Sequence, residues 1–259
     1  PTHLVERRRL TGEIDVLVAP GLEARGVTAA FPERAGGTSE PPYHALNLGL
    51  QTGDDPDRVR RNRSQVVAAL DLPPFAVARQ VHGSEEARVA GPDGGRGFLD
   101  PTKALGPADI LVTAERAVPL AVLVADCLPI VLASDDLLVT VHAGWRGLAS
   151  GILARAAAVF EDPGRAAAAI GPAIGPCHYE VGPEVASAVD AGSPGGAVVE
   201  RRDGSVALDL RRTAARGLAA CGVGEVEAAE VCTACEPARF YSHRRDGRTG
   251  RHAMVAVRT

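Results

Sequence analysis

The stretch VPLAVLVADCLPIVLASDDLLVTVHAGWRG, residues 118–147, decides the fold and raises the functional question. It holds three short runs rich in Leu, Ile and Val, at 119–125, 129–134 and 137–143. Runs of this length bounded by turn residues read as strands, and Asp135-Asp136 can turn the last two into a hairpin. The same stretch follows one run with Cys127 and the next with His142, then sets Trp145 and Arg146 between glycines. A packed corner and a reaction site would each account for that.

Working outward, helical spacing and end signals predict helices over 55–70, 148–161 and 208–222, the last closing at Gly222. FAVARQVHG (75–83), ADILVT (108–113) and AMVAVR (253–258) add strands, and the glycine-rich pieces 91–97 and 191–197 read as surface loops. Strands and helices mix without regular βαβ alternation. The expected fold is therefore α+β, mixed β-sheets flanked by helices, in one domain over residues 1–259. No glycine-rich loop of the dinucleotide or P-loop kind is present.

Bulk properties narrow the function classes. Of the 259 residues 46% are hydrophobic, enough for a sizeable core. The net charge is −4 and the arginines are interspersed with acidic residues, which argues against a nucleic-acid partner. The longest apolar stretches are broken by Asp and Pro, so no membrane span is expected. The N-terminal stretch shows no leader pattern, and a cytoplasmic location follows as the expectation. Five cysteines, an odd number, are expected to be reduced, with at least one available to a metal or to chemistry. CTAC (232–235) has metal-binding spacing but no second pair, so it reads as two reduced cysteines at a strand end.

Three segments share a pattern: an apolar run, then a metal-capable side chain, then a glycine or a tight turn. They carry His82, Cys127 and His142. Strand ends open onto a common face, where two imidazoles and a thiolate would suit Zn²⁺ and leave a fourth coordination position. Copper suits the same donors. A lone His or Cys at a strand end is more often simply packed, and spacing alone leaves both readings standing. Among the arginines, Arg34, Arg244 and Arg146 could recognise phosphate. Arg146 is favoured because its flanking glycines permit close backbone approach.

Taken in order, GGTSEPPYHALNLGLQTGDDPDRVRRNR, QVHG, ADCLPI, HAGWRG, IGPAIGPCHYEVG, CT and FYSHRRDGRTGR resemble the YfiH family over Thr28 to Val257. Its members have been called laccase-like multicopper polyphenol oxidases, peptidoglycan editing factors and purine nucleoside phosphorylases. The resemblance implies a fold similar to the catalytic domain of cytotoxic necrotizing factors. It also implies metal ligation, usually of zinc, by His82, Cys127 and His142. The activity it implies is phosphorolysis of adenosine, inosine, guanosine and methylthioadenosine, with adenosine deamination at the same site. One departure is Glu33, where the pattern has Thr before Arg34.

On that reading the partners are a nucleoside and phosphate, with no nucleic acid or membrane, and the protein is a monomer or small homo-oligomer. Arg146 would hold phosphate, with Arg34 or Arg244 assisting. Asn47 would bond the nucleoside, and Tyr179 would line the pocket. Asp126 would act as a general base or orient a ligand histidine. The rivals are a copper oxidase of phenols, a peptidoglycan-precursor hydrolase, and a binding protein whose zinc is structural.

Overall fold

Residues 118–147 turn out to belong to two sheets. The computed structural model describes residues 5–202 and 204–259, so residues 1–4 of the stretch weighed as a leader lie outside it. The first apolar run is strand Leu120–Val124, at one edge of a five-stranded antiparallel sheet. The order there is Glu6–Arg9, Asp15–Val18, Val27–Pro32, His252–Arg258, Leu120–Val124. The other two runs, Leu128–Ala133 and Leu138–Ala143, form the expected hairpin, with Leu138 opposite Ala133 and Ala143 opposite Leu128. They lie at the centre of a six-stranded mixed sheet. Ala167–Ile170 and Ile110–Thr113 flank them antiparallel, and Glu225–Ala228 and Glu86–Arg88 add parallel edges.

The two sheets pack face to face, and alternation along each strand sorts the side chains. Leu120 and Val122 from one sheet meet Val131, Ala133 and Leu138 from the other. Ile130, Leu132, Val139 and Val141 point the opposite way, onto helices Ile152–Ala157 and Leu210–Ala220. Ala121 and Val255 on the far face of the first sheet pack with Val66 and Val67 of helix Pro56–Ala69. Burial on both faces is why these strands read as unbroken apolar runs. Each fully buried Leu, Ile or Val contributes about 1.5–3 kcal/mol.

The α+β class and the mixed sheets match the sequence reading. Two local expectations do not hold. The helix expected over 148–161 is two short helices, Trp145–Ala149 and Ile152–Ala157, separated where Gly151 takes φ 78°. Of the strand expected over 75–83, only Ala78–Arg79 pairs as a strand, and the chain leaves the ladder before His82. Among the described residues no helix is long and apolar enough to cross a membrane.

Candidate metal centre

Residues 125–127 carry the chain from one sheet to the other, and Cys127 stands on that crossing directly before Leu128. Asp126 takes φ 90° there, a left-handed conformation that a non-glycine residue keeps only when its surroundings hold it. Its Oδ1 accepts from the Thr233 hydroxyl at 2.6 Å and its Oδ2 from the Arg244 N–H at 2.7 Å. His142 is the penultimate residue of its strand, opposite Pro129, and is buried.

His82 arrives on an irregular loop fastened to both sheets. The Gln80 side-chain amide bonds reciprocally with the backbone of Leu123, 2.8 Å each way, standing in for a strand partner. The backbone N–H groups of Val81, His82 and Gly83 all donate to the Asp109 carboxylate, at 3.1, 3.1 and 2.8 Å. Three convergent donors hold His82 at φ 60°, a second left-handed residue in the same corner.

These constraints bring the donor atoms of His82, Cys127 and His142 within 4.8 Å of one another, with the two rings edge to face. Asp109 reaches Nδ1 of His142 at 2.7 Å and is itself fully buried. That bond holds a proton on Nδ1 and leaves Nε2 as the ring atom where a cation would take a proton's place. Burial alone would raise the Cys127 thiol, yet His142 and His82 outweigh it and bring its pKa down to about 6. Burial likewise works against charge on His142, and the Cys127 thiolate with Asp109 lifts it to about 9. A site that favours thiolate is suited to a soft or borderline cation.

The backbone leaves room for one. A Cβ on Gly144 would stand 3.0 Å from Cys127 Sγ and 3.4 Å from the His82 ring. The glycine of HAGWRG thus keeps the space beside two of the three donors clear. Two imidazoles, a thiolate and a carboxylate behind one ring fit zinc, and the donor set fits copper as well.

The three donors line a cleft of about 490 Å³, with apolar wall from Leu50, Val77 and Leu123. Of the residues singled out from sequence, Asp126, Tyr179 and Arg244 also line it. The Arg244 guanidinium stacks on the Tyr179 ring at 4.8 Å and donates to the Glu180 carbonyl at 3.0 Å. Burial raises the Tyr179 phenol to about 12.

The other three lie elsewhere. Arg146 is exposed, outside the cleft lining, with its guanidinium 4.4 Å over the Trp145 ring. Arg34 is buried and spends its donors on the carbonyls of His44 and Pro237. Asn47 is fully buried, donates to Thr52 and Asp54, and accepts from the N–H groups of Gly49 and Arg251. Arg34 and Asn47 therefore shape the loops around the cleft and do not face it. The expectation that Asp126 orients a ligand histidine is corrected too, since the carboxylate on His142 is Asp109. Glu33, the departure noted before Arg34, is buried in ion pairs with Arg7 and Arg239.

Sequence reasoning passed over Asp109, Gln80 and Arg251. Arg251 lines the cleft, and burial holds its pKa below the ordinary value. A polar residue opening the apolar run ADILVT was the available signal for Asp109. The reading of CTAC as lacking a second pair is also overturned, because Cys177 and His178 lie against it.

The sequence model of a family described as multi-copper polyphenol oxidoreductase laccase matches residues 28–259. A protein of Shigella flexneri named purine nucleoside phosphorylase YfiH is 38% identical over 236 residues, covering 88% of this chain and 93% of that one. A purine nucleoside phosphorylase of Xylella fastidiosa is 41% identical over 254 residues, covering 93% and 96%. Among solved structures, YlmD from Geobacillus stearothermophilus superposes with a TM-score of 0.90 at 35% identity, covering 100% of this chain and 99% of that one. A Bacillus licheniformis protein called YfiH gives 0.87 at 31%, covering 94% and 96%.

Proposed function

This chain belongs to the YfiH family, the one described as multi-copper polyphenol oxidoreductase laccase, and from that premise we propose that it is a zinc-dependent purine nucleoside phosphorylase. The observation that carries the reading is the convergence of His82, Cys127 and His142 on a cleft that also holds Arg244 and Arg251. A volume of about 490 Å³ is within the usual range for small-molecule sites. Zinc held by the three donors supplies Lewis-acid polarisation of a substrate atom brought to it.

The rest falls to the chain's own side chains. In phosphorolysis a phosphate oxygen bonds to the ribose carbon that carries the base. The bond from that carbon to the base breaks, and the base leaves with the electron pair and takes up a proton. Arg244 and Arg251 hold the phosphate dianion by charge-assisted bonds and balance the charge that moves along the reaction axis. Arg146, favoured from sequence, stands outside and contributes at most a field at the rim. Tyr179 remains a neutral phenol at physiological pH and offers the nucleoside an O–H donor. Leu50, Val77 and Leu123 cover the ring and exclude water. Both oxygens of Asp126 are engaged, so its part is to position Arg244 and the Thr233 turn rather than to accept a proton. Adenosine deamination would use the same three donors with water in place of phosphate.

The test is incubation of the purified, metal-analysed protein with adenosine, with and without phosphate. Adenine and ribose-1-phosphate formed only with phosphate support the reading. Inosine formed without phosphate identifies the deaminase activity. Neither product, together with copper content and oxygen uptake on a phenol, would replace the proposal by the oxidase.

A further inference from the structure

Away from the cleft's three donors, the side chains of Cys177, His178, Cys232 and Cys235 place three sulfurs and a nitrogen within 4.8 Å of one another. We propose that these four residues hold a second zinc ion, in a closed site that clamps one wall of the cleft. The inference does not depend on the nucleoside reading.

The backbone brings the two halves together. Ala173 bridges Cys232 in parallel, and the Thr233 N–H donates to the Ala173 carbonyl at 3.0 Å. The CTAC segment closes on itself, Cys235 N–H to Cys232 carbonyl at 3.1 Å, which turns both its sulfurs to one side. The Cys177-His178 dipeptide, a few residues past Ala173, meets them there.

Four of the six donor separations lie close to those around a tetrahedral ion. Cys177 Sγ lies 3.5 Å from Cys235 Sγ. His178 Nδ1 lies 3.3, 3.4 and 3.9 Å from the sulfurs of Cys177, Cys235 and Cys232. Zinc bonds of about 2.3 Å to sulfur and 2.0–2.1 Å to nitrogen give tetrahedral edges of about 3.8 Å between sulfurs and about 3.6 Å between sulfur and nitrogen. A disulfide would need about 2.05 Å between sulfurs. The Gly175 N–H donates to Cys232 Sγ at 3.2 Å, the kind of backbone support that a ligating thiolate receives. Three thiolates and one imidazole fill four positions, so the site is structural, with none left for substrate. Binding releases the thiol protons to solvent, and nothing is oxidised.

What such an ion would brace is specific. Thr233, inside the CTAC turn, donates to Asp126, and Arg245 Nη1 donates to the carbonyls of Thr233 and Ala234 at 2.9 and 3.2 Å. Asp126 in turn receives the Arg244 N–H. Fixing the turn therefore fixes the corner that carries Cys127 and Arg244.

The experiment is elemental analysis of the full chain, expressed with zinc and purified without chelator, beside the Cys177→Ser/Cys235→Ser and His178→Ala variants. Two zinc ions per wild-type chain, falling to one in either variant, is the expected result. His142→Ala should lose the other ion alone. In the cobalt-substituted protein, thiolate-to-cobalt absorption should fall to about one quarter in the double variant, because with the second site emptied only Cys127 of the four thiolates still binds cobalt. A wild-type count of two decides the matter even where a variant fails to fold. A single zinc per wild-type chain that is lost in His142→Ala overturns the proposal, as does a Cys177–Cys235 disulfide in protein prepared under reduction.

Discussion

Two Cys/His clusters stand among the described residues, and they differ in what surrounds them. The trio of His82, Cys127 and His142 runs from buried to exposed at the foot of a cleft, with the Asp109 carboxylate behind it. The quartet of Cys177, His178, Cys232 and Cys235 lies on the surface, supported by backbone N–H groups. Three donors beside a cavity leave a cation something to do, whereas four donors satisfy it. Ligand number and surroundings, more than ligand type, separate a centre built for reaction from one built to hold the chain.

The strongest way to break that contrast is His142→Ala. It removes a donor and strands a buried carboxylate, so bound metal and turnover should fall to background. Stability should drop by about 3–5 kcal/mol, read from the denaturant midpoint. Full metal content in that variant would strike His142 from the trio. Next in size is Asp109→Asn, which keeps all three donors and removes the charge behind one of them. Metal affinity, measured by competition with a chromophoric chelator, should weaken about 10–100-fold. An unchanged affinity would mean that Asp109 serves only the loop at 81–83.

The two clusters are joined through Asp126, whose carboxylate takes the Thr233 hydroxyl and whose carbonyl takes the Ile174 N–H at 3.0 Å. Thr233→Val should cost about 2 kcal/mol in thermal unfolding, since it takes a neutral donor from a buried carboxylate. If metal content and turnover then stay at wild-type values, the clusters act independently. The smallest effect separates the cleft from its exterior. Arg244→Ala should raise the KM for phosphate about tenfold, the loss of one charge-assisted bond. Arg146→Ala should leave it within about twofold. Equal effects would return Arg146 to the phosphate site.

The legibility of these features from sequence follows their physical origin. The strands of 119–143 were visible because both faces are buried, which leaves an unbroken apolar run. Helix Pro56–Ala69 announced itself through its Asp55 cap and first-turn proline. The loop of His82 was not visible, because its shape comes from Gln80 and Asp109, whose partners are distant backbone groups. Arg146 looked exposed to a ligand because glycines flank it, yet its nearest ring is its neighbour Trp145. Cys177 and His178 carried no local signal, since what joins them to CTAC is the bridge from Ala173 to Cys232.

The crossing at residues 125–127 has a thermodynamic side. Cys127 and His142 belong to the six-stranded sheet, while the loop bearing His82 is tied through Gln80 to the edge of the five-stranded one. The same loop is held to Asp109 beside the six-stranded sheet, so an ion shared by these donors would bind only the folded corner where the loop and both sheets meet, and its binding energy would add to that state alone. At a free concentration a thousandfold above its dissociation constant, that linkage amounts to about 4 kcal/mol. An ion in the cleft would in this sense also pin the corner between the two sheets, and chelation would loosen the protein there.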